Sequence, residues 1–191
     1  MNVRVTNGAE GLARRAFTVE EIWRMVEAGI VAPQERFELI EGEIVPMSPK
    51  GPVHERVKSA LAMALVKALP PDLWIGFETT IELSDVTFVE PDLVVYPKRL
   101  GLREVRGPDI LLAVEVADTS LAYDLGPKAR LYAVHGVTEL WVVDARERTT
   151  AVHTRPEPDG WGRIEEKAPG DALAPSARAL AHFRMRLGDI D

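Results

Sequence analysis

Two carboxylates and one lysine carry the chemistry this sequence offers. Asp92 follows Pro91 in Phe88-Val89-Glu90-Pro91-Asp92-Leu93-Val94-Val95, and Glu115 sits inside the apolar run Ile110-Leu111-Leu112-Ala113-Val114-Glu115-Val116. A glutamate in a strand buried on both faces must be paired, hydrogen-bonded or metal-bound, because an isolated buried charge is too costly. A proline ahead of Asp92 cannot donate to a ladder, so that strand is interrupted or at an edge there. Carboxylates converging from two adjacent strands make a hard oxygen site suited to magnesium or manganese. The same residues also fit a plainer account, in which Glu115 pairs with an arginine or lysine and Asp92 is a strand-end turn residue.

Lys128 is the third candidate, in Asp124-Leu125-Gly126-Pro127-Lys128-Ala129-Arg130-Leu131-Tyr132. Asp124, Lys128 and Tyr132 are spaced four apart and so share one helical face. An amine reaching from that face to the carboxylates would position water or help to deprotonate it. The alternative is an exposed Asp124–Lys128 pair on a solvated face, which stabilises little.

The elements that must position these groups are readable in turn. Thr18-Val19-Glu20-Glu21 is a capping box opening a first helix with Ile22, Met25 and Val26 on its apolar face and Gly29 as its stop. Phe37 to Val45 reads as a hairpin turning at Glu41-Gly42. After the breaker Ser48-Pro49-Lys50-Gly51-Pro52, the apolar stripe Val57, Leu61, Ala64, Leu65, Ala68 predicts a second helix that ends at Pro70-Pro71. Strands are expected over roughly 74–83 and 86–96 with a turn at Ser84-Asp85, and Ile110 to Val116 as a strand buried on both faces. A third helix over about 124–135 stops at Gly136, Glu139 to Val143 is another buried strand, and a hairpin follows at about 149–155 and 162–167. A helix between two buried strands favours a parallel crossover, so the sheet should be mixed. The expectation is an α/β (α+β) chain folded as a single domain over 1–191, with a mixed central sheet flanked by helices and a hairpin at each end.

Composition narrows the classes. The 191 residues suit one domain, and 46% apolar with 28% charged residues is ordinary for a globular protein. No apolar run approaches a membrane span, and an N-terminus carrying Arg4, Glu10, Arg14 and Arg15 does not read as a secretory signal. Without cysteine there are neither disulfides nor thiolate metal sites, and the expected location is the cytoplasm. A formal charge of −7 argues against a surface that grips nucleic acid everywhere, so any such contact must be local. The best local patch is Lys98, Arg99, Arg103 and Arg106, offset by Glu104 and Asp109, and such a run is more often a solvated loop. The tryptophans show no interleaving with basic residues, and Walker, GxGxxG and GxSxG patterns are missing from the sequence.

Pro91-Asp92 followed by Glu115 in an apolar strand resembles the PD-(D/E)xK nuclease superfamily. More narrowly, the chain is similar to the Uma-type restriction endonuclease family over about residues 17–187. The likeness rests on Phe17-Thr18-Val19-Glu20-Glu21, Phe37 to Glu43, His54, Pro91-Asp92, Glu115-Val116, Asp124 with Lys128 and Tyr132, and Gly136 to Asp144. It implies a restriction-endonuclease-like core over about 49–145, with Asp92 and Glu115 as ligands of Mg2+ or Mn2+. The superfamily lysine falls two residues after the glutamate, where this chain has Ala117. The resemblance therefore makes Lys128 the matching amine. It also brings in His54, to orient water or contact phosphate, and Glu38, as an outer metal contact. Their alternatives are a helix-entry histidine bonded to the preceding loop and a surface strand residue. Asp118 and Glu90 read as loop caps or solvated acids.

Two functions follow as expectations. The first is a magnesium-dependent endonuclease acting on DNA, in a homodimer or higher homo-oligomer, with no membrane partner. The second is a non-catalytic binding or assembly protein on the same fold, favoured by the negative charge and the displaced lysine.

Overall fold

The computed structural model describes residues 5–7, 13–32 and 34–191; Arg4 and Glu10 of the N-terminal reading lie outside them. In chain order the elements are β1 (Val5–Asn7), β2 (Ala13–Arg15), α1 (Val19–Glu27), β3 (Phe37–Ile40), β4 (Glu43–Pro46), α2 (Pro52–Ala68) and β5 (Leu73–Phe77). Then come β6 (Ile81–Ser84), β7 (Thr87–Val89), β8 (Leu93–Pro97), β9 (Leu112–Ala117), α3 (Leu121–Tyr123), a π-helical turn (Asp124–Lys128), α4 (Ala129–Val134), β10 (Glu139–Asp144), β11 (Thr150–Glu157) and β12 (Gly160–Lys167). The chain divides into two compact units, residues 1–49 with 80–90, and residues 50–79 with 91–191.

The first unit is built on the sheet β4-β3-β7-β6, with β1 and β2 paired antiparallel to each other. Helix α1 starts where the capping box places it: Thr18 Oγ1 accepts from Glu21 N–H, and Glu21 Oε2 accepts from Thr18 N–H. Its Val19 and Ile22 pack with Val31, Phe37, Leu39 and Phe88 in a small core. The β3–β4 hairpin turns with φ of 50° at Glu41 and 88° at Gly42, the pair of left-handed residues that a tight hairpin requires. Gly42 is required twice over, because a Cβ there would stand 2.4 Å from Ala16 Cβ.

The second unit holds the six-stranded sheet β12-β11-β10-β9-β8-β5. Strands β9 and β10 are parallel and joined through the α3–α4 segment, while the remaining pairs are antiparallel, so the sheet is mixed as the crossover pattern predicts. The stripe of α2 (Val57, Leu61, Leu65) packs with Leu93, Val95, Leu112, Val114, Val116, Trp141 and Val143, and Leu173, Leu180, Phe183 and Leu187 complete that core. Since side chains alternate along a strand, Glu115 points from the opposite face of β9 to Val114 and Val116.

The two long strands expected at 74–83 and 86–96 are instead four: β5 and β8 pair in the six-stranded sheet, and β6 and β7 in the other. The interruption on one side is marked by Glu78, with φ of 45°, and on the other by Pro91, which has no N–H for a ladder.

His153 on β11 is buried, with its ring tilted at 55° against Trp161, centroids 5.7 Å apart, and with Nδ1 3.1 Å from the Ala151 carbonyl. Burial pushes its pKa below the ordinary value of 6.5, against the opposing effect of the Ala151 and Leu140 backbone groups. The folded chain therefore binds fewer protons here than the unfolded chain between the lowered pKa and 6.5. This contribution to stability is complete above about pH 6.5 and is lost as the pH falls through that window. Urea melts at pH 7.5 and 5.5 should show lower stability in acid, and His153→Gln should reduce the difference between them.

Candidate metal centre

Asp92 lies one residue ahead of β8, whose Leu93 faces Val114 of antiparallel β9. One step back along that register brings Asp92 alongside Glu115. The ladder ends here because Pro91 cannot donate, and the Asp92 side chain takes its place: Oδ2 accepts from Val116 N–H at 2.8 Å. The same oxygen is 3.1 Å from His54 Nε2. His54 occupies the first turn of α2 on the buried side, one turn before Val57. Its Nδ1 is buried and makes no hydrogen bond, and lies 3.3 Å from Glu55 Oε1.

The other Asp92 oxygen, Oδ1, accepts from Lys50 Nζ at 2.5 Å. Burial alone would raise the Asp92 pKa; the His54 hydrogen bond and the Lys50 charge reverse that and bring it to about 2. Lys50 Nζ also meets Glu78 Oε1 at 3.0 Å, and Lys58 Nζ meets the same oxygen at 2.5 Å and Glu55 Oε1 at 2.8 Å. Burial opposes ionisation of Glu78 as well, but the two lysines hold its carboxyl at about 2.

Glu115, 4% exposed, carries the second group of contacts. Its Oε1 accepts from Tyr132 Oη at 2.5 Å and lies 2.9 Å from Lys128 Nζ. Lys128 reaches it from the end of the π-helical turn. Pro127 has no N–H for an α-helical bond and its ring crowds the preceding turn, so the chain takes one wider turn in which Ala129 N–H bonds to the Asp124 carbonyl. From Lys128 onward the α-helical period resumes, which stacks Tyr132 four residues on over the same carboxylate.

Among the expected residues two contacts form, His54 with Asp92 and Lys128 with Glu115, on strands whose register sets residues 92 and 115 side by side, and Asp124 and Lys128 are buried rather than exposed. Asp124 Oδ2 accepts from Ser120 Oγ at 2.5 Å. Glu38 belongs to the first unit. It is 3% exposed, which rules out the surface-strand reading, and its Oε1 accepts from Glu90 N–H at 2.8 Å. Glu90 bonds to Thr80 and Arg36, and Asp118 to Arg146, so neither acid is merely solvated. In the basic loop, Arg106 donates to the Arg103 and Val105 carbonyls of the loop itself, and Lys98 sits over Trp74 of β5 at 5.5 Å.

Sequence reasoning missed Lys50, Lys58 and Glu78. Each sits in a breaker, on a helix or at a strand end where a charged residue reads as solvated. The only signal was the position of Lys50 four residues before His54.

Two buried carboxylates on neighbouring strands offer hard oxygen donors. Magnesium and manganese fit that set, since magnesium takes one or two protein carboxylates and keeps several waters. Among the described residues no group of three or more Asp, Glu, His or Cys side chains is placed to hold a metal ion.

The pattern of the Uma2 family, described as "Putative restriction endonuclease", matches residues 19–186. No curated protein matches the chain. Among solved structures, a "putative nuclease belonging to DUF820" from Anabaena variabilis superposes with a TM-score of 0.72 at 17% identity, covering 91% of this chain and 97% of that one. At that identity the likeness is one of fold. No described helix is long and apolar enough to cross a membrane.

Proposed function

The chain belongs to the Uma2 family, and from that premise we propose that it is a divalent-cation-dependent endonuclease that hydrolyses phosphodiester bonds in DNA. The observation that carries the reading is the meeting of Asp92 with the strand that bears Glu115, through the bond from Val116 N–H, with a lysine ammonium on each carboxylate.

Asp92 and Glu115 would hold the cation, which when bound neutralises phosphate charge and acidifies water at the scissile bond. The Val116 N–H and His54 fix the orientation of Asp92. Tyr132 does the same for Glu115, so neither ligand has to be ordered when the cation arrives. Lys128 places a fixed positive charge beside Glu115, where it stabilises negative charge developing on the phosphate and assists the attacking water. Double-strand cleavage on this fold suits a homodimer or higher homo-oligomer, and a chain without cysteines suits the cytoplasm.

Lys128→Ala tests the mechanism. Calorimetric titration with manganese should show binding that is unchanged or tighter, because a nearby positive charge is gone. Nicking of supercoiled plasmid should slow by about a hundredfold or more, the usual worth of a positioned proton-transfer group. Cleavage at the wild-type rate would rule out the relocated lysine. The rival reading, a non-catalytic binding or assembly protein, draws on the lysines that already pair both carboxylates and on the charge of −7. It becomes the better one if the wild type binds no cation and nicks nothing.

A further inference from the structure

Asp92 is gripped asymmetrically. Oδ2 is taken by the Val116 N–H and His54, on the side of the sheet and α2, which leaves Oδ1 as the oxygen turned to a cation, and the Lys50 ammonium stands on it. We propose that Lys50 is a displaceable counter-cation of this site, which gives up Asp92 Oδ1 when a divalent cation binds and then contacts a substrate phosphate. The inference rests on the nuclease reading and adds a residue to it.

Three features separate Lys50 from Lys128. Lys50 comes from the loop before α2 rather than from a helical turn, and its side chain is 15% exposed against 5% for Lys128. An ammonium on a flexible stem at the edge of the site can move between partners more easily than one buried against a carboxylate. Second, Lys50 has somewhere to go, because Glu78 Oε1 lies 3.0 Å from its Nζ and remains a partner when Asp92 is taken.

Third, charge favours the move. Glu78, whose side chain is 26% exposed, is shared by Lys50 and Lys58, so once Asp92 is committed to a cation those two ammoniums share this half-buried carboxylate. Glu55 also touches Lys58, but its side chain is 45% exposed and its charge is screened. The surplus positive charge beside the metal ligands is what a phosphodiester oxygen requires. A divalent cation and the Lys50 ammonium cannot both rest on Oδ1, since like charges at such a distance repel strongly away from bulk water.

The test uses the full chain, wild type beside Lys50→Met and Lys50→Arg. Manganese affinity is read by calorimetry, and affinity for a duplex oligonucleotide in calcium is read by anisotropy across salt concentrations. Lys50→Met should bind manganese about tenfold more tightly, having lost a competing charge. It should bind DNA more weakly, with a salt dependence shallower by about one phosphate contact. Lys50→Arg should restore the salt dependence. A residue that only supports the fold would not move the two affinities in opposite directions. If the wild type takes up manganese but Lys50→Met binds it no more tightly, or keeps the wild-type salt slope, the role of Lys50 is overturned and the nuclease reading stands. If the wild type takes up no manganese, both fall together.

Discussion

Asp92→Asn and Glu115→Gln should each abolish divalent-cation uptake and lower plasmid cleavage by about a thousandfold or more, the largest effect expected on activity. These variants are preferable to alanine because they keep an oxygen that can accept the buried hydrogen bonds. In Asp92→Asn the amide oxygen can still accept from Val116 N–H, the bond by which Asp92 closes the end of the β8–β9 ladder. In Glu115→Gln the amide oxygen can still accept from Tyr132 Oη. Asp92→Ala and Glu115→Ala should abolish the same two readouts and add a loss of stability, since each strands a buried donor. Glu115→Gln also removes the charge that Lys128 meets at 2.9 Å, and removing one member of a buried ion pair costs about 3–5 kcal/mol. Lys128→Met added to Glu115→Gln should therefore recover part of the lost stability while leaving cleavage abolished, which a double-mutant cycle of thermal melts would measure. Cation uptake and cleavage that persist in Asp92→Asn would remove Asp92 from the site.

Glu139→Ala should produce the largest loss of stability at a position remote from this chemistry. Glu139 opens β10 and is fully buried. Its carboxylate accepts from Trp141 Nε1 at 2.5 Å and from Ser176 N–H at 2.6 Å, with a further short bond from the Ser176 hydroxyl. It thereby ties the C-terminal segment to the sheet face on which Trp141 packs against Phe183, with ring centres 5.8 Å apart. Alanine leaves the fully buried indole N–H without its acceptor and releases Ser176. With about 1.5–3 kcal/mol for each hydrogen bond to a charged group, and Ser176 able to turn to water, the expected cost is about 3 kcal/mol. For a chain of this size that corresponds to about 10 °C in the melting temperature. Trp141 fluorescence should shift to the red, hydrogen exchange should rise over residues 173–187, and manganese binding should stay at the wild-type value. An unchanged melting temperature would show that the C-terminal segment is held by its apolar contacts alone.

Local features were legible because they depend on neighbours in the chain. The capping box of Thr18 and Glu21, the Glu41-Gly42 turn and the stripe of α2 each follow from residue types at short spacing. The parallel β9–β10 pair followed from two apolar runs separated by a helix. Asp92 and Glu115 stood out for a physical reason as well: a carboxylate in an apolar strand requires a partner, whichever fold contains it.

Tertiary structure alone decided where those partners came from. The run from 74 to 96 alternates like strand throughout, and alternation is the same whichever sheet a strand joins, so nothing in it showed that β5 and β8 pair in one sheet and β6 and β7 in another. The helix expected over about 124–135 runs straight through Gly126-Pro127, and only the folded chain shows that it opens there as a wider turn aiming Lys128 at Glu115. Lys50, Lys58 and Glu78 look solvated because burial of a long charged side chain depends on surfaces brought together from distant parts of the chain. The sequence by itself determined that two carboxylates on neighbouring strands needed compensating charge. That Lys50 and Lys128 supply it, from separate segments of the unit's sequence, was decided by packing.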